Sequence, residues 1–376
     1  MKKFLICFAF AAAMLAAASC SKDEVELDML NYSDLAFPDP IFRAYVLENF
    51  DTNGDGKISK EEALVVTTIE VSQQRQRIQS LQGIKFFTNL TYLDCSHNAL
   101  KYLDVSQNTL LTYQDCSFNG YTDDHIRLVS ITDLDLSNNT ALTHLDCRNL
   151  DLEKLDVSRQ TQLTYLDCNY NSLTDLDVSQ NTQLTYLDCG YNPLTDLDVS
   201  QNTLLTYLNC GGQSLTDLDL SNNAALTYLD CNHNYSLTEL DLSNNTALTY
   251  FNGDGSHLRN LEIHHTALEY LSCNYGELEN LDVSGCTALK ELMCERNQLK
   301  SLNVSQTALE HLWCRDNQLT ILDVSETNLG DSTEEIPLSC SYNPMLKTLI
   351  LKKGWEIYGV NNPRFSIPDE TPIEYV

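Results

Sequence analysis

The sequence predicts an elongated solenoid of parallel β turns, closed at its N-terminal end by a small helical cap, and three observations predict it. A motif of the form LxxLxCxxNxLxxLDVSxNTx recurs with a 21-residue period, in back-to-back copies over Leu163–Gln183, Leu184–Leu204 and Leu205–Ala225. Cysteine marks one slot of successive copies at Cys168, Cys189, Cys210 and Cys231. Leucine at positions 1 and 4 and cysteine at position 6 then point inward. A fixed period near twenty residues with this spacing is the signature of a stacked repeat, in which each turn buries its apolar side only against its neighbours.

Copies of the first half-motif begin at Leu90, Leu111, Leu142, Leu163, Leu184, Leu205, Leu226, Leu248, Leu268, Leu289 and Leu309, with a decayed one around Ile336. The step from Leu111 to Leu142 carries ten extra residues within Ser117–Ser130, including Tyr121, Asp123, Asp124 and His125, which must leave the stack as a loop. Copies around His264 and Gln306 are one residue short. Each repeat nests two half-motifs, LxxLxC and LxxLxV, ten or eleven residues apart. This nesting resembles the IRREKO class of leucine-rich repeats and internalin-like bacterial proteins, over about 250 residues. The resemblance implies a leucine-rich-repeat solenoid and a binding surface rather than a catalyst, without naming a partner. The solenoid is expected over residues 78–350 and an irregular C-terminal cap with Trp355, Ile357, Tyr358 and Pro363 over 351–376. Twelve turns at a strand spacing of about 4.8 Å give a rod or arc on the order of 60 Å long.

Inside the turn, the leucines and cysteines form one continuous core. Asparagine at position 9 (Asn98, Asn171, Asn192, Asn234, Asn297, Asn317) is expected to turn inward and bond backbone groups at the bend. Gln213 departs from this pattern and marks an expected weak point. The chain has 14 cysteines, and Cys95, Cys116, Cys147, Cys168, Cys189, Cys210, Cys231, Cys273, Cys294, Cys314 and Cys340 share the repeat slot. Side chains in one column of a parallel ladder lie about 4.8 Å apart and point the same way, whereas a disulfide needs convergent Cβ atoms about 3.8 Å apart. A stack of buried free thiols follows. Cys286 lies outside this column and is expected as an exposed thiol.

The first twenty residues read as a targeting segment. Lys2 and Lys3 precede an apolar run, Phe4–Ala18, of signal-peptide length and too short to span a bilayer. Leu15–Cys20 resembles a bacterial lipobox, which implies lipidation of Cys20; the other reading is an ordinary secretory signal with an incidental cysteine. Ser21-Lys22-Asp23-Glu24 resembles the acidic export tag of surface lipoproteins of the Bacteroidota type, and residues 21–35 read as an acidic tether. The resemblance implies an outer-membrane, lipid-anchored protein on the cell surface, with periplasmic retention as the alternative. A net charge of −30 argues against nucleic-acid or anionic-lipid partners, which need clustered Lys and Arg. It suits attraction of cations or basic proteins.

Residues 36–77 are expected to form the helical cap. Ile41, Phe42, Tyr45, Val46 and Phe50 have helical spacing over Pro40–Phe50, and a second helix is expected over Lys60–Thr67. Between them, residues 51–62 match the EF-hand loop. Asp51, Asn53 and Asp55 supply side-chain oxygens, Lys57 its carbonyl, Ser59 a direct or water-mediated contact and Glu62 a bidentate carboxylate, with Gly56 at the sharp turn. Ca²⁺ is the expected cofactor; the other reading is a polar acidic turn without metal. One hand without a partner suits a structural role rather than a sensor's opening groove.

Positions 3 and 5 flank an inward leucine, so both are expected on the outer face of the sheet. Position 3 is a tyrosine column (Tyr92, Tyr113, Tyr165, Tyr186, Tyr207, Tyr228, Tyr250, Tyr270) interrupted by His144. Position 5 is an aspartate column (Asp94, Asp115, Asp146, Asp167, Asp188, Asp230) with Asn209 and Asn252 in the series. Exposed aromatics are enriched at recognition surfaces, which makes this face the expected ligand-binding site; cross-strand stacking of tyrosines is the structural alternative. Towards the C-terminal end Met293 and Trp313 take these positions, as a hot spot or as packing under the exit cap. The second half-motif presents Asp175, Asp177, Asp196, Asp198, Asp217 and Asp219 as a solvated acidic back.

The eight histidines are scattered over different turns without metal-ligand spacing, and no phosphate-cradling loop or nucleophile elbow occurs. The sequence therefore reads as a non-enzymatic, monomeric, lipid-anchored protein that binds a basic protein partner. A surface-glycan binder using the Tyr/Asp face and a structural surface-layer component are the alternatives.

Overall fold

A computed structural model describes residues 36–72, 77–119, 130–263, 267–329, 337–353, 365–368 and 371–376. Cys20 with the targeting segment and tether, the Tyr121–His125 insertion, His264-His265, Ile336, and the cap residues Trp355, Ile357, Tyr358 and Pro363 lie outside the described residues.

The first half-motifs form a 14-stranded parallel sheet in strict chain order on one side of the solenoid. Most of its strands are three residues long, such as Tyr165–Asp167, Tyr186–Asp188 and Tyr207–Asn209. Equivalent residues pair in register, Tyr165 with Tyr186 and Asp167 with Asp188. That register stacks identical side chains into ladders. The second half-motifs pair into three smaller sheets on the opposite side. Between them runs one hydrophobic core in which Leu166, Leu187, Leu208 and Leu229 have no exposed surface. The column cysteines are buried free thiols, as the ladder geometry requires. Cys286 departs from expectation: it is fully buried, with its Sγ 3.8 Å from the Ile263 carbonyl oxygen.

Two asparagine ladders hold the bends. In the expected one, Asn192 Nδ2 donates to the Cys168 and Cys189 carbonyls at 3.0 and 2.9 Å, and its Oδ1 accepts from Leu173 N at 3.0 Å. A second ladder runs through Asn108, Asn139, Asn181, Asn202, Asn223 and Asn245, all fully buried. Asn202 Nδ2 donates to Val178 O and Asn181 O at 3.0 and 2.9 Å, which fastens each turn to the one before. Cys286 occupies this second slot, which is why it is inside. The repeated Asn of the VSxN segment carried the signal.

Gln213 is an irregular rung of the first ladder. Its Nε2 reaches Cys189 O at 2.7 Å, but its buried Oε1 has no partner, whereas Asn234 Oδ1 in the next rung accepts Leu215 N at 3.1 Å. Gln213→Asn is expected to raise stability by about 1 kcal/mol, the scale of a restored buried hydrogen bond. A urea melt in which the substituted protein unfolds earlier than the parent would overturn this.

The N-terminal cap contains helices α1 (Pro40–Phe50) and α2 (Lys60–Leu64). Asp39 N-caps α1 through Oδ1, accepting from Ile41 N and Phe42 N, while its Oδ2 accepts from Gln79 N at 2.8 Å and Ser80 N at 3.2 Å. One carboxylate thus joins the cap to the first turn. Phe37 packs against Phe42, Phe86 and Phe87, with ring centroids 5.9 to 6.1 Å apart. Gly83, at φ 103°, lies so close to Phe37 that a Cβ would sit 2.4 Å from its ring. The second helix is shorter than the expected Lys60–Thr67. β-branched Thr68 and Ile69 instead enter strand β1 (Thr68–Glu70), which pairs with Tyr92–Asp94 and covers the open end of the sheet.

Candidate ligand-binding face

Position 3 of the sheet is one continuous pile of rings. From Tyr92 through Tyr113, His144, Tyr165, Tyr186, Tyr207, Tyr228 and Tyr250 to Tyr270, successive centroids lie 4.0 to 4.4 Å apart with planes within 11° of parallel. In-register pairing at strand spacing forces this arrangement. Each interior ring is therefore half-buried, with both faces covered by neighbours. The column presents ring edges and hydroxyls, not stacking platforms, so a glycan bound along it would meet no open ring face. Burial pushes the phenol of Tyr165 up to about 12, with Asp167 and Asp146 adding to the effect. At the C-terminal end of the pile, Tyr270 Oη lies 3.9 Å from Met293 Sδ. Met293 pairs with Trp313, which stacks on His311 at 5.3 Å. Both Met293 and Trp313 are half-buried rather than openly displayed.

The aspartate column is a second correction. Asp146, Asp167 and Asp188 are only 4, 1 and 7 % exposed, so they are not available as ligand contacts. Strand alternation does place them outward, but the aromatic pile (His144, Tyr165 and Tyr186) two residues before flanks them, as do Arg148 and Asn169 two residues after Asp146 and Asp167. Their carboxylates turn to the backbone: Arg148 N donates to Asp146, Asn169 N to Asp167 and Gly190 N to Asp188, at 3.1 to 3.2 Å. Side-chain amides of Asn169 and Asn209 close on Asp188 at 2.7 and 3.1 Å. Arg148 bridges Asp146 at 3.3 Å and Asp167 at 3.1 Å. Burial, reinforced by neighbouring carboxylates, pushes Asp146 up to about 8 and Asp167 up to about 7; Arg148 opposes the shift at both. Asp230 is likewise raised by burial. By contrast, the expected acidic back is solvated, with Asp177, Asp198 and Asp219 exposed and each accepting from the backbone N–H two residues on.

Sequence reasoning missed a third column at position 8. There His97, Phe118, Asn149, Tyr170, Tyr191, His233, Tyr275, Arg296, Asp316 and Tyr342 all have φ between 51 and 60°, joined by Gly212 and Gly255 at 68°. Bulky residues seldom take this left-handed conformation. It is imposed here because each backbone N–H must turn to the next coil, as Tyr170 N does to Gly190 O at 3.0 Å. The side chains stand out from the ridge: Tyr170, Tyr275 and Tyr342 are 52, 51 and 69 % exposed. Tyr170 stacks on Tyr191 at 4.4 Å and His97 on Phe118 at 4.6 Å. The signal was the bulky, often aromatic residue directly before most ladder asparagines, as in Tyr170-Asn171 and Tyr191-Asn192.

The loop between α1 and α2 is tightly wired. Asp51 Oδ1 accepts from Gly54 N and Asp55 N, and its Oδ2 from Gly56 N at 2.8 Å. Asn53 Oδ1 accepts from Asp55 N and Asp55 Oδ1 from Lys57 N. Gly54 and Gly56 take φ of 72 and 79°. Buried Glu62 forms a capping box with Ser59 and also receives Thr52 N at 2.8 Å and Thr52 Oγ1 at 2.7 Å. Burial alone would raise its carboxyl, but the hydrogen bonds from Ser59 and Thr52 outweigh it and hold it at about 2. Among the described residues no three His, Cys, Asp or Glu side chains converge as a preformed metal cage. No described helix is long and apolar enough to cross a membrane.

A family model for leucine-rich repeats in two copies matches residues 161–202. Among solved structures, the chain is 34 % identical to the functional domain of InlJ from Listeria monocytogenes, described as including a cysteine ladder. That match covers 86 % of this chain and 76 % of the other, with a TM-score of 0.64. An internalin, InlF, from the same organism shares the fold at 19 % identity and a TM-score of 0.57, covering 92 % of this chain and 93 % of the other. A leucine-rich-repeat protein of Leptospira interrogans does so at 18 % identity and 0.52, covering 67 % of this chain and 76 % of the other. A search of curated proteins returns no match. This chain's own parallel sheet and buried cysteine column thus accompany identity above 30 % over most of both chains, and the chain belongs to the internalin-like family of leucine-rich-repeat proteins.

Proposed function

We propose that this protein is a lipid-anchored adhesion or capture module of the outer-membrane surface, which binds a basic protein along the tyrosine-edged sheet. The observation that carries the reading is the row of half-buried rings from Tyr92 to Tyr270, whose exposed edges run along one side of a chain with net charge −30. Tyrosine edges and hydroxyls supply large contact area at small entropic loss, and the surrounding negative field steers a cationic partner. Cys20 is the proposed lipid attachment point, with residues 21–35 as tether.

Ca²⁺ is the proposed structural ion of the cap, held by Asp51, Asn53, Asp55, the Lys57 carbonyl, Ser59 and Glu62. Two observations support the fit: an all-oxygen donor set suited to a hard cation, and a loop already bent at Gly54 and Gly56 with Glu62 folded back on Thr52. The ion would supply the positive charge that lets three carboxylates share a short loop.

The test uses the mature chain as bait on bacterial-surface and host-matrix extracts, with Tyr186→Phe/Tyr207→Phe/Tyr228→Phe as control. Phenylalanine keeps the ring pile and removes only hydroxyls, so folding is spared. A basic protein retained by the parent, released by salt and lost at least tenfold from the control is the expected result, an effect of about 1.4 kcal/mol. Equal capture by both baits would remove the tyrosine row from the binding surface.

A further inference from the structure

The position-8 ridge contains a missing rung. At Gly255, as at Gly212, no side chain projects from the ridge, and at Gly255 a cleft of about 590 Å³ opens, lined by His233, Tyr235, His257, Tyr275, Glu277 and Arg296. The glycine is required by its neighbour as well as by its φ of 68°, since a Cβ would meet His233 Nδ1 at 2.9 Å. The corresponding gap at Gly212 is filled, because the Tyr191 ring lies where a Cβ would go, 2.6 Å away. At Gly255 the His233 imidazole comes close to the glycine, and the cleft opens beside it.

Its walls differ in kind from the tyrosine pile. Arg296 covers one face of the Tyr275 ring, with the guanidinium carbon 4.9 Å from the centroid, and on the other side comes the turn that carries Gly255. Tyr235 is 59 % exposed and stands edge-on to His257 at 6.2 Å, with its hydroxyl 3.2 Å from His233 Nδ1. Glu277, at the rim, is held by Arg259 at 3.0 Å. Ring faces denied to a ligand along the sheet are available here, surrounded by hydrogen-bond donors and acceptors.

We infer that this cleft is a subsite for one neutral hexopyranose unit of a glycan, its ring seated against Tyr275 beside Gly255. The apolar C–H side of a pyranose matches an aromatic face, and its hydroxyls match Glu277, Arg296 and the imidazoles. The aromatic side chain of a protein partner would instead need an apolar enclosure, which an open cleft with two histidines, an arginine and a glutamate does not give. The size is within the range of small-ligand sites. The inference stands apart from the protein-binding row, which lies at position 3 of the strands.

Saturation-transfer NMR of the full chain with lactose, maltose and cellobiose tests it. At least one sugar is expected to receive saturation at its ring C–H protons, with affinity weakened about fivefold or more in Tyr275→Ala, the loss of a stacking side chain. Arg296→Ala, which removes an exposed hydrogen-bond donor from the cleft wall, is expected to weaken the signal about fivefold or more while leaving the circular dichroism unchanged. The control Tyr186→Phe/Tyr207→Phe/Tyr228→Phe is expected to bind the sugar as the parent does. Absence of saturation with all three sugars, or saturation untouched by both ridge substitutions, overturns the proposal.

Discussion

Calorimetry of the parent protein in millimolar Ca²⁺ and in EDTA is expected to give separate melting profiles, with the calcium-loaded form the more stable. The physical basis is linkage: an ion that binds only the folded cap adds about 2.7 kcal/mol when present at a hundred times its dissociation constant. The cap has much to transmit. Asp51 closes α1 and receives three backbone N–H groups of the loop, Glu62 starts α2, and β1 continues from there into the parallel sheet against Tyr92–Asp94. Loosening the loop therefore frees the strand that shields the core at Ile69 and Leu93, both fully buried. In a stack stabilised by neighbour contacts, an exposed end is where unfolding begins. Asp51→Asn retains the side-chain volume and acceptance from Gly54 N and Asp55 N but removes one negative charge from the ligands of the ion. It should lose most of the calcium-dependent shift while melting close to the parent in EDTA. Coincident profiles of the parent with and without calcium would sink the metal site and leave the loop as an acidic turn.

At pH 8 the Asp146→Asn protein is expected to melt several degrees above the parent, with the difference shrinking towards pH 5. Asp146 is raised to about 8 by burial and by Asp167 and Asp115, so the folded protein holds its proton more tightly than the unfolded chain does. The stability that this provides is complete at low pH. It declines as pH climbs from the ordinary carboxylate value, about 3.9, through the folded value. By pH 8 the parent must either bury a second negative charge beside Asp167 or keep a proton against the solvent. Asparagine removes that conflict, and its carbonyl can still accept the Arg148 N–H that Asp146 accepts at 3.2 Å. The gain is on the order of 2 kcal/mol, moderated by loss of the Arg148 ion pair. A melting temperature for Asp146→Asn below the parent's at pH 8 would falsify the buried-carboxylate reading. Attraction between Arg148 and Asp146 would then outweigh the cost of burying the charge.

The same row of carboxylates marks where the sequence stopped being informative. Period, handed-on register and the inward leucine, cysteine and Asn192-type positions were all legible, because they depend on local spacing and on the rule that successive strand residues alternate. Helix α1 was legible end to end for a similar reason, with Pro40 at its start, apolar residues at helical spacing and the polar loop at its end. Alternation also assigns Asp167 to the outer face correctly, yet it says nothing about what lies over that face. Likewise it offers Tyr186 as an exposed ring without saying that Tyr165 and Tyr207 cover both its sides. Cys286 was misplaced because its slot belongs to the second asparagine ladder, which becomes visible as a ladder only when the turns are superposed.

What the sequence determined by itself was the unit and its repetition: a 21-residue turn, an apolar interior, a helical cap with an acidic loop, and a strongly acidic exterior. The tertiary structure decided which outward residues are accessible, where the ridge of left-handed residues stands, and where Gly255 leaves it open. These are properties of neighbouring turns rather than of any one turn. Burial of a side chain in a solenoid depends on residues about 21 positions away on either side, so stacking converts a repeated tyrosine into a wall and an omitted side chain into a cleft.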